Sequence, residues 1–110
     1  MSKRDNSVLI QDMLESAVKI IKYTEGLSFD QFEADDKTVD AVIRNFEIIG
    51  EAANRIESDF KILNPQIEWT KMRGFRNRIV HDYFGIDLEI VWSIIQGDIE
   101  ELIYQLEQLS

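Results

Sequence analysis

Val39, Val42, Phe46, Ile49, Ala53, Ile56 and Phe60 follow one another at steps of 3, 4, 3, 4, 3 and 4 residues. That rhythm keeps apolar side chains on one side of an α-helix and conflicts with the two-residue period of a strand. Gly50, Ala52 and Ala53 lie along it and let a neighbouring helix approach closely. The seam is only about three heptads long, and other amphipathic stretches flank it. A helix bundle therefore fits better than a two-stranded coiled coil.

The flanking stretches repeat the pattern. Val8, Leu9, Met13, Leu14, Ala17, Val18 and Ile21 recur at helical spacing after Asp5 and Asn6, either of which can cap a helix, and Gly26 ends the run. Residues 28–33 make a short connector whose Phe29 and Phe32 pack onto the bundle. Asp35 and Asp36 supply cap residues and negative charge at the start of the long seam helix. Asn64-Pro65 stops that helix, because proline cannot continue it. A third helix is expected from Glu68 or Trp69 to about Tyr83, ending at Gly85. Asp87 then caps a fourth, with Val91, Ile94, Ile95, Ile99, Leu102, Ile103, Leu106 and Leu109 on its buried face. The expected fold is all-α: an up-and-down antiparallel four-helix bundle, one domain over residues 1–110, with a short extra helix or turn in the connections.

Length and composition narrow the functional classes. The 110 residues suit one modest core. With no cysteine there is neither a disulfide nor a thiolate metal site, and with one histidine a metal centre is a poor fit. No apolar run approaches the ~20 residues of a membrane span, and the first residues do not read as a signal peptide. A cytoplasmic location is the expectation. The net charge of −9 opposes broad electrostatic binding to nucleic acid, so any RNA contact has to be local.

Local basic charge is concentrated in one place. Lys71, Arg73, Arg76 and Arg78 are four of the chain's twelve basic residues, and the single histidine, His81, follows directly. Projected on one continuous helix, Trp69, Met72, Phe75, Ile79, Val80 and Tyr83 form an apolar arc, with Lys71, Arg78 and Asp82 opposite. Arg76 falls inside that arc, where a guanidinium needs a partner or a cleft, and Glu47 and Glu51 are candidates. Arg73, Asn77 and His81 follow at i, i+4 along its shoulder. His81 lies ~140° around from Arg76 and Tyr83 only ~20° on an ideal helix. A two-fold dimer pairing these helices brings two arginines and two histidines to one cleft.

Such a group suits RNA cleavage without a metal. An imidazole can take the 2′-hydroxyl proton or protonate the leaving 5′-oxygen, and a guanidinium stabilises charge developing on the phosphoryl oxygens. Asn77 can orient either. Taken alone, the same residues also fit plainer roles: a histidine interacting with the last carbonyls of a helix, and an arginine in a structural ion pair. The acidic pairs Asp35-Asp36 and Glu100-Glu101 read as capping and surface residues. Trp69 and Trp92 read as core.

Arg76-x4-His81-x-Tyr83, with Asn77 after the arginine, resembles the signature of the HEPN superfamily, and specifically of HepT-like toxins. Residues 45–52 upstream, Trp69 ahead of the motif, and Ile86-Asp87 with Val91-Trp92 after it fit the same family. The resemblance implies a metal-independent ribonuclease that needs no cofactor and is the toxin of a toxin–antitoxin pair. It further implies a homodimer with Arg76 and His81 at the dimer cleft. The implied partner is a minimal nucleotidyltransferase, able to silence the toxin by transferring AMP to Tyr83. Two other functions remain consistent with the sequence. One is a non-catalytic helical module that holds the nucleotidyltransferase; the other is a nucleotide site with Arg76 on phosphate.

Overall fold

The computed structural model describes residues 5–81 and 85–109, with Arg76 and His81 described in backbone only. The fold is all-α. Eight helical segments run through the described residues: α1 (Asn6–Thr24), α2 (Phe29–Glu33), α3 (Asp36–Arg55), α4 (Ser58–Leu63), α5 (Trp69–Arg73), α6 (Phe75–Ile79), α7 (Leu88–Gly97) and α8 (Ile99–Glu107). Between α6 and α7 lies a minimal antiparallel ladder, β1 (Val80–His81) against β2 (Gly85–Ile86).

Local chemistry starts these helices where the sequence suggests. Asp5 accepts the Ser7 amide at the head of α1, and Asp35 accepts the Thr38 amide at the head of α3. Asp87 accepts the Glu89 and Ile90 amides at the head of α7. The residue 28–33 connector is itself a short helix, closed by a reciprocal capping box between Ser28 and Gln31. From it Phe32 is fully buried and meets Trp92 with ring centroids 5.2 Å apart.

The core lies where α1 packs on α3 and α8, with α5, α6 and α7 closing the remaining sides. Met13, Ala17, Ile20, Val42, Phe46, Ile49, Ala53, Phe75, Ile94, Ile99 and Leu106 are essentially inaccessible to solvent. Each large one contributes roughly 1.5–3 kcal/mol relative to exposure. On α1 the inward stripe is Leu9, Ile10, Met13, Ala17 and Ile20, whereas Val8 and Val18 face outwards. The expected stripe was therefore right in period and displaced by part of a turn at two positions.

Three of the expected long helices are interrupted. The seam helix ends at Arg55 with Ile56 extended (φ −61°, ψ 136°), so Phe60 belongs to α4 instead. The fourth helix is divided at Asp98 into α7 and α8. The third is divided at Gly74 and finishes at Ile79, not Tyr83. Each break leaves the apolar side chains inward, which is why periodicity alone did not expose it: Ile56, Ile79 and Ile99 are all buried beside their break. No helix among the described residues is long and apolar enough to cross a membrane.

Candidate functional site

The basic segment is positioned by α3. Gly50 sits under the end of α5, where a Cβ would lie 3.3 Å from the Met72 carbonyl oxygen and 3.9 Å from that of Arg73. The missing side chain lets the two helices come this close, and a Cβ would need the Met72 carbonyl to give by a few tenths of an ångström. One turn earlier on α3, Phe46 meets Phe75 edge-to-face, with centroids 5.3 Å apart and planes at 82°. Trp69 anchors the other end of the segment. Its indole Nε1 donates to the Asn64 carbonyl at 3.1 Å, and its ring packs against Phe60. Trp69, Met72, Phe75 and Ile79 are thus the inner face, and they hold the backbone of residues 73–79 at the surface.

Gly74 separates α5 from α6 with φ −85° and ψ −3°. Its amide donates to Thr70 and Lys71, and its carbonyl accepts from Arg78. Gly74 therefore interrupts the helix only locally, because the bonds to Thr70 and from Arg78 both keep helical i, i+4 spacing. Arg73 and Asn77 fall on either side of that break, and both are exposed. After Ile79 the chain turns extended. Val80 pairs with Ile86 and His81 with Gly85, and the Asp87 amide closes the ladder on the Ile79 carbonyl at 2.7 Å.

This overturns the helical-wheel placement of the motif's second half. His81 is on β1, not a helix shoulder, so neither the i, i+4 series from Arg73 nor the ~140° offset from Arg76 describes it. Val80 does not join the apolar arc; it is 37% exposed. The backbones of Arg76 and His81 stand on successive elements, α6 and β1. Their side chains, and Tyr83 with Asp82 and Phe84, lie outside the described residues, as does any pairing of Arg76 with Glu47 or Glu51. Glu51 pairs with Arg55 of its own helix at 2.9 Å.

The three cations of the segment whose side chains are described divide into two groups. Lys71 and Arg78 both reach Asp98, at 3.0 Å and 3.5 Å. Arg73 is different: among the described residues it makes no ion pair, and it lies near Lys61 of α4. Burial first and the Arg73 charge second push the Lys61 ammonium below its ordinary value. Lys61 and Arg73 form a local positive spot on an otherwise acidic protein, a setting that favours an anionic ligand.

Two features of this region were not singled out from the sequence. Lys61 stands ten residues ahead of Lys71 in the chain, outside the basic cluster. Asp98 reads as a polar position within a long apolar helix, although Gly97-Asp98 between Ile95 and Ile99 is a break signal that could have drawn attention.

Comparison with known proteins agrees with the residue pattern. The family model described as "Ribonuclease HepT-like" matches residues 13–109. A protein of Thermococcus cleftensis named "Probable ribonuclease HepT" is 39% identical over 107 residues, covering 97% of each chain. A "Putative RNase" of Methanocaldococcus jannaschii is 38% identical over 109 residues, covering 99% of this chain and 90% of that one. A second "Putative RNase" of the same organism is 39% identical over 107 residues, covering 97% and 98%. No solved structure matches significantly.

Proposed function

This chain belongs to the HepT-like ribonuclease family, and from that premise we propose that it is a metal-independent endoribonuclease, the toxin half of a toxin–antitoxin pair. It acts in the cytoplasm as a single domain spanning residues 1–110. His81 handles the protons, on the 2′-hydroxyl in attack or the 5′-oxygen in departure, and Arg76 stabilises the charge on the phosphoryl oxygens. Arg73 draws the RNA backbone in beside Lys61, and Asn77, exposed on α6, orients the reacting groups. The observation that carries this reading is the packing of residues 73–79 against α3 through their inner face. Gly50, Phe46 and Trp69 fix the inner face of the segment, so its outer residues are held for contact with a large substrate.

One histidine per chain supports a composite site in a homodimer. The exposed Val80 and Ile86 beside it offer an apolar surface for the second copy. A nucleotidyltransferase neutralises the enzyme by transferring AMP to Tyr83. Tyr83 lies two residues from His81 in the chain, so an attached nucleotide competes with RNA phosphate at high effective concentration.

The test is cleavage of RNA by purified protein in EDTA, with 2′,3′-cyclic phosphate or 3′-phosphate ends as the expected products. Arg76→Ala and His81→Ala should each abolish it while thermal unfolding stays cooperative. Activity that requires Mg²⁺, or that survives both changes, overturns the mechanism and favours a binding module. Light scattering tests the dimer. Co-expression with the nucleotidyltransferase and intact mass spectrometry test AMP on the wild type and its absence on Tyr83→Phe.

A further inference from the structure

Asp98 stands at the junction of α7 and α8, in the N-cap position of α8, yet its side chain makes no capping hydrogen bond. Its backbone is helical (φ −116°, ψ −31°), unlike the extended backbone from which Asp35 and Asp87 cap their helices. Here the carboxylate is committed elsewhere. Oδ1 accepts from Lys71 Nζ at 3.0 Å, and Oδ2 pairs with Arg78 Nη1 at 3.5 Å. Lys71 belongs to α5 and Arg78 to α6, so one carboxylate spans the break at Gly74 from outside. The Asp98 side chain is only 26% exposed, and with Glu68, which reaches Lys71 at 3.8 Å, the group is a partly buried cluster of four charges.

We infer that Asp98 is a positioning and specificity-determining residue for RNA cleavage: it fixes the angle between α5 and α6 and withholds Lys71 and Arg78 from the RNA. This rests on the ribonuclease reading above. Two consequences follow from the geometry. First, Asn77 and the Arg76 backbone lie between Gly74 and Arg78, so a tie across the break sets where they point. Second, Lys71 and Arg78 are engaged by carboxylates in place, Lys71 by Glu68 at 3.8 Å as well, which sets them apart from Arg73 and the nearby Lys61 as cations that can meet a phosphate at this site. In a chain of net charge −9, that restriction narrows the track an RNA strand can follow.

The charge half is read by binding, with a short single-stranded RNA carrying 2′-O-methyl riboses, which lack the attacking hydroxyl and cannot be cut by this route. Asp98→Asn should bind it more tightly at low salt. Two released cations should steepen the dependence of log Kd on log salt by about 1.4, at ~0.7 per phosphate contact on a single strand. Asp98→Asn/Lys71→Gln/Arg78→Gln should bring binding back towards the wild-type level, because the cations that Asp98→Asn releases are then gone.

The positioning half is read by turnover on ordinary RNA. Asp98→Asn and Lys71→Gln/Arg78→Gln should each lower kcat about tenfold, since small misplacements at a reacting centre are costly. Asp98→Glu, which keeps the charge, should recover both readouts, and thermal unfolding checks that each variant is folded. The inference is overturned if Asp98→Asn binds no more tightly with an unchanged salt slope. It is equally overturned if kcat is unaffected, or if Asp98→Asn/Lys71→Gln/Arg78→Gln binds as tightly as Asp98→Asn. A wild type that cuts no RNA removes the ribonuclease reading and the turnover half with it. The uncleavable probe still decides the charge half on its own.

Discussion

Phe46 of α3 and Phe75 of α6 meet edge-to-face with ring centroids 5.3 Å apart, and each is no more than 1% exposed. This contact joins the seam helix to the basic segment, so it ties fold stability to the site. Phe75→Ala and Phe46→Ala should each cost about 3–5 kcal/mol in chemical denaturation, the usual range for deleting a buried ring. A double-mutant cycle should return a coupling of about 0.5–1.5 kcal/mol, as expected for an aromatic pair beyond its buried area. Additive losses would show that the two rings contribute only area.

Gly50 makes a sharper distinction between stability and site geometry. Alanine there improves helix propensity by about 0.8–1 kcal/mol, but its Cβ meets the Met72 carbonyl at 3.3 Å and α5 has to shift slightly. Gly50→Ala should therefore be near neutral in denaturant midpoint yet reduced in RNA cleavage. Gly50→Val should be destabilised by about 1–3 kcal/mol, because the larger side chain overpacks against backbone that cannot rotate away. Full activity in Gly50→Val would mean that the approach of α5 to α3 does not set the site.

The bundle itself was legible because it depends on periodic burial. The 3,4 spacing of the seam from Val39 to Ile56, and the run from Val91 to Leu106, identify their inner faces correctly. What periodicity does not encode is continuity. A helix can break at Ile56, Gly74 or Asp98 and keep its apolar residues inward on both sides, so the pattern survives the interruption. The same blindness misplaced His81. Residues 75–83 continue a plausible wheel, but the pairing of His81 with Gly85 is a contact across a turn, which a helical projection cannot show. The residues suggested for chemistry were recognisable by type and spacing. The contact of Lys71 and Arg78 with Asp98, 27 and 20 positions away, was not, because it depends on tertiary packing.

Asp35 sets an acid dependence. The Thr38 hydroxyl donates to it at 2.8 Å and the Thr38 amide at 3.2 Å, and these bonds hold its carboxyl below the ordinary 3.8. Its folded value is therefore lower than its unfolded one. The stabilisation is fully present above the unfolded value and is lost as pH falls through the folded value. Asp35→Ala should melt at a lower temperature than wild type at neutral pH. The gap between the two should close as the buffer is taken below 3.8. A gap that stays constant across that window would assign the effect to helix propensity, not to the charged cap.

Gly85 offers the most selective handle on His81. The two residues face each other in the ladder, and Gly85 has φ +77°, a conformation that L side chains rarely adopt. A Cβ added there would meet nothing within 4 Å, so an alanine suffers no clash. Its cost is purely conformational, about 1–2 kcal/mol for a left-handed alanine. The ladder spans only two residues on each strand and carries little of the core, so it can yield locally instead of unfolding the bundle. Gly85→Ala should therefore leave the main thermal transition nearly unchanged while cleavage falls, because the backbone that holds His81 has relaxed. Gly85→Asn should retain most of the activity, since asparagine visits positive φ more readily than alanine. This ordering, glycine above asparagine above alanine, separates backbone conformation from side-chain bulk, because asparagine is the larger of the two replacements. Equal loss in both variants would mean that volume at this turn matters. Full activity in Gly85→Ala would mean that His81 does not depend on the ladder for its position.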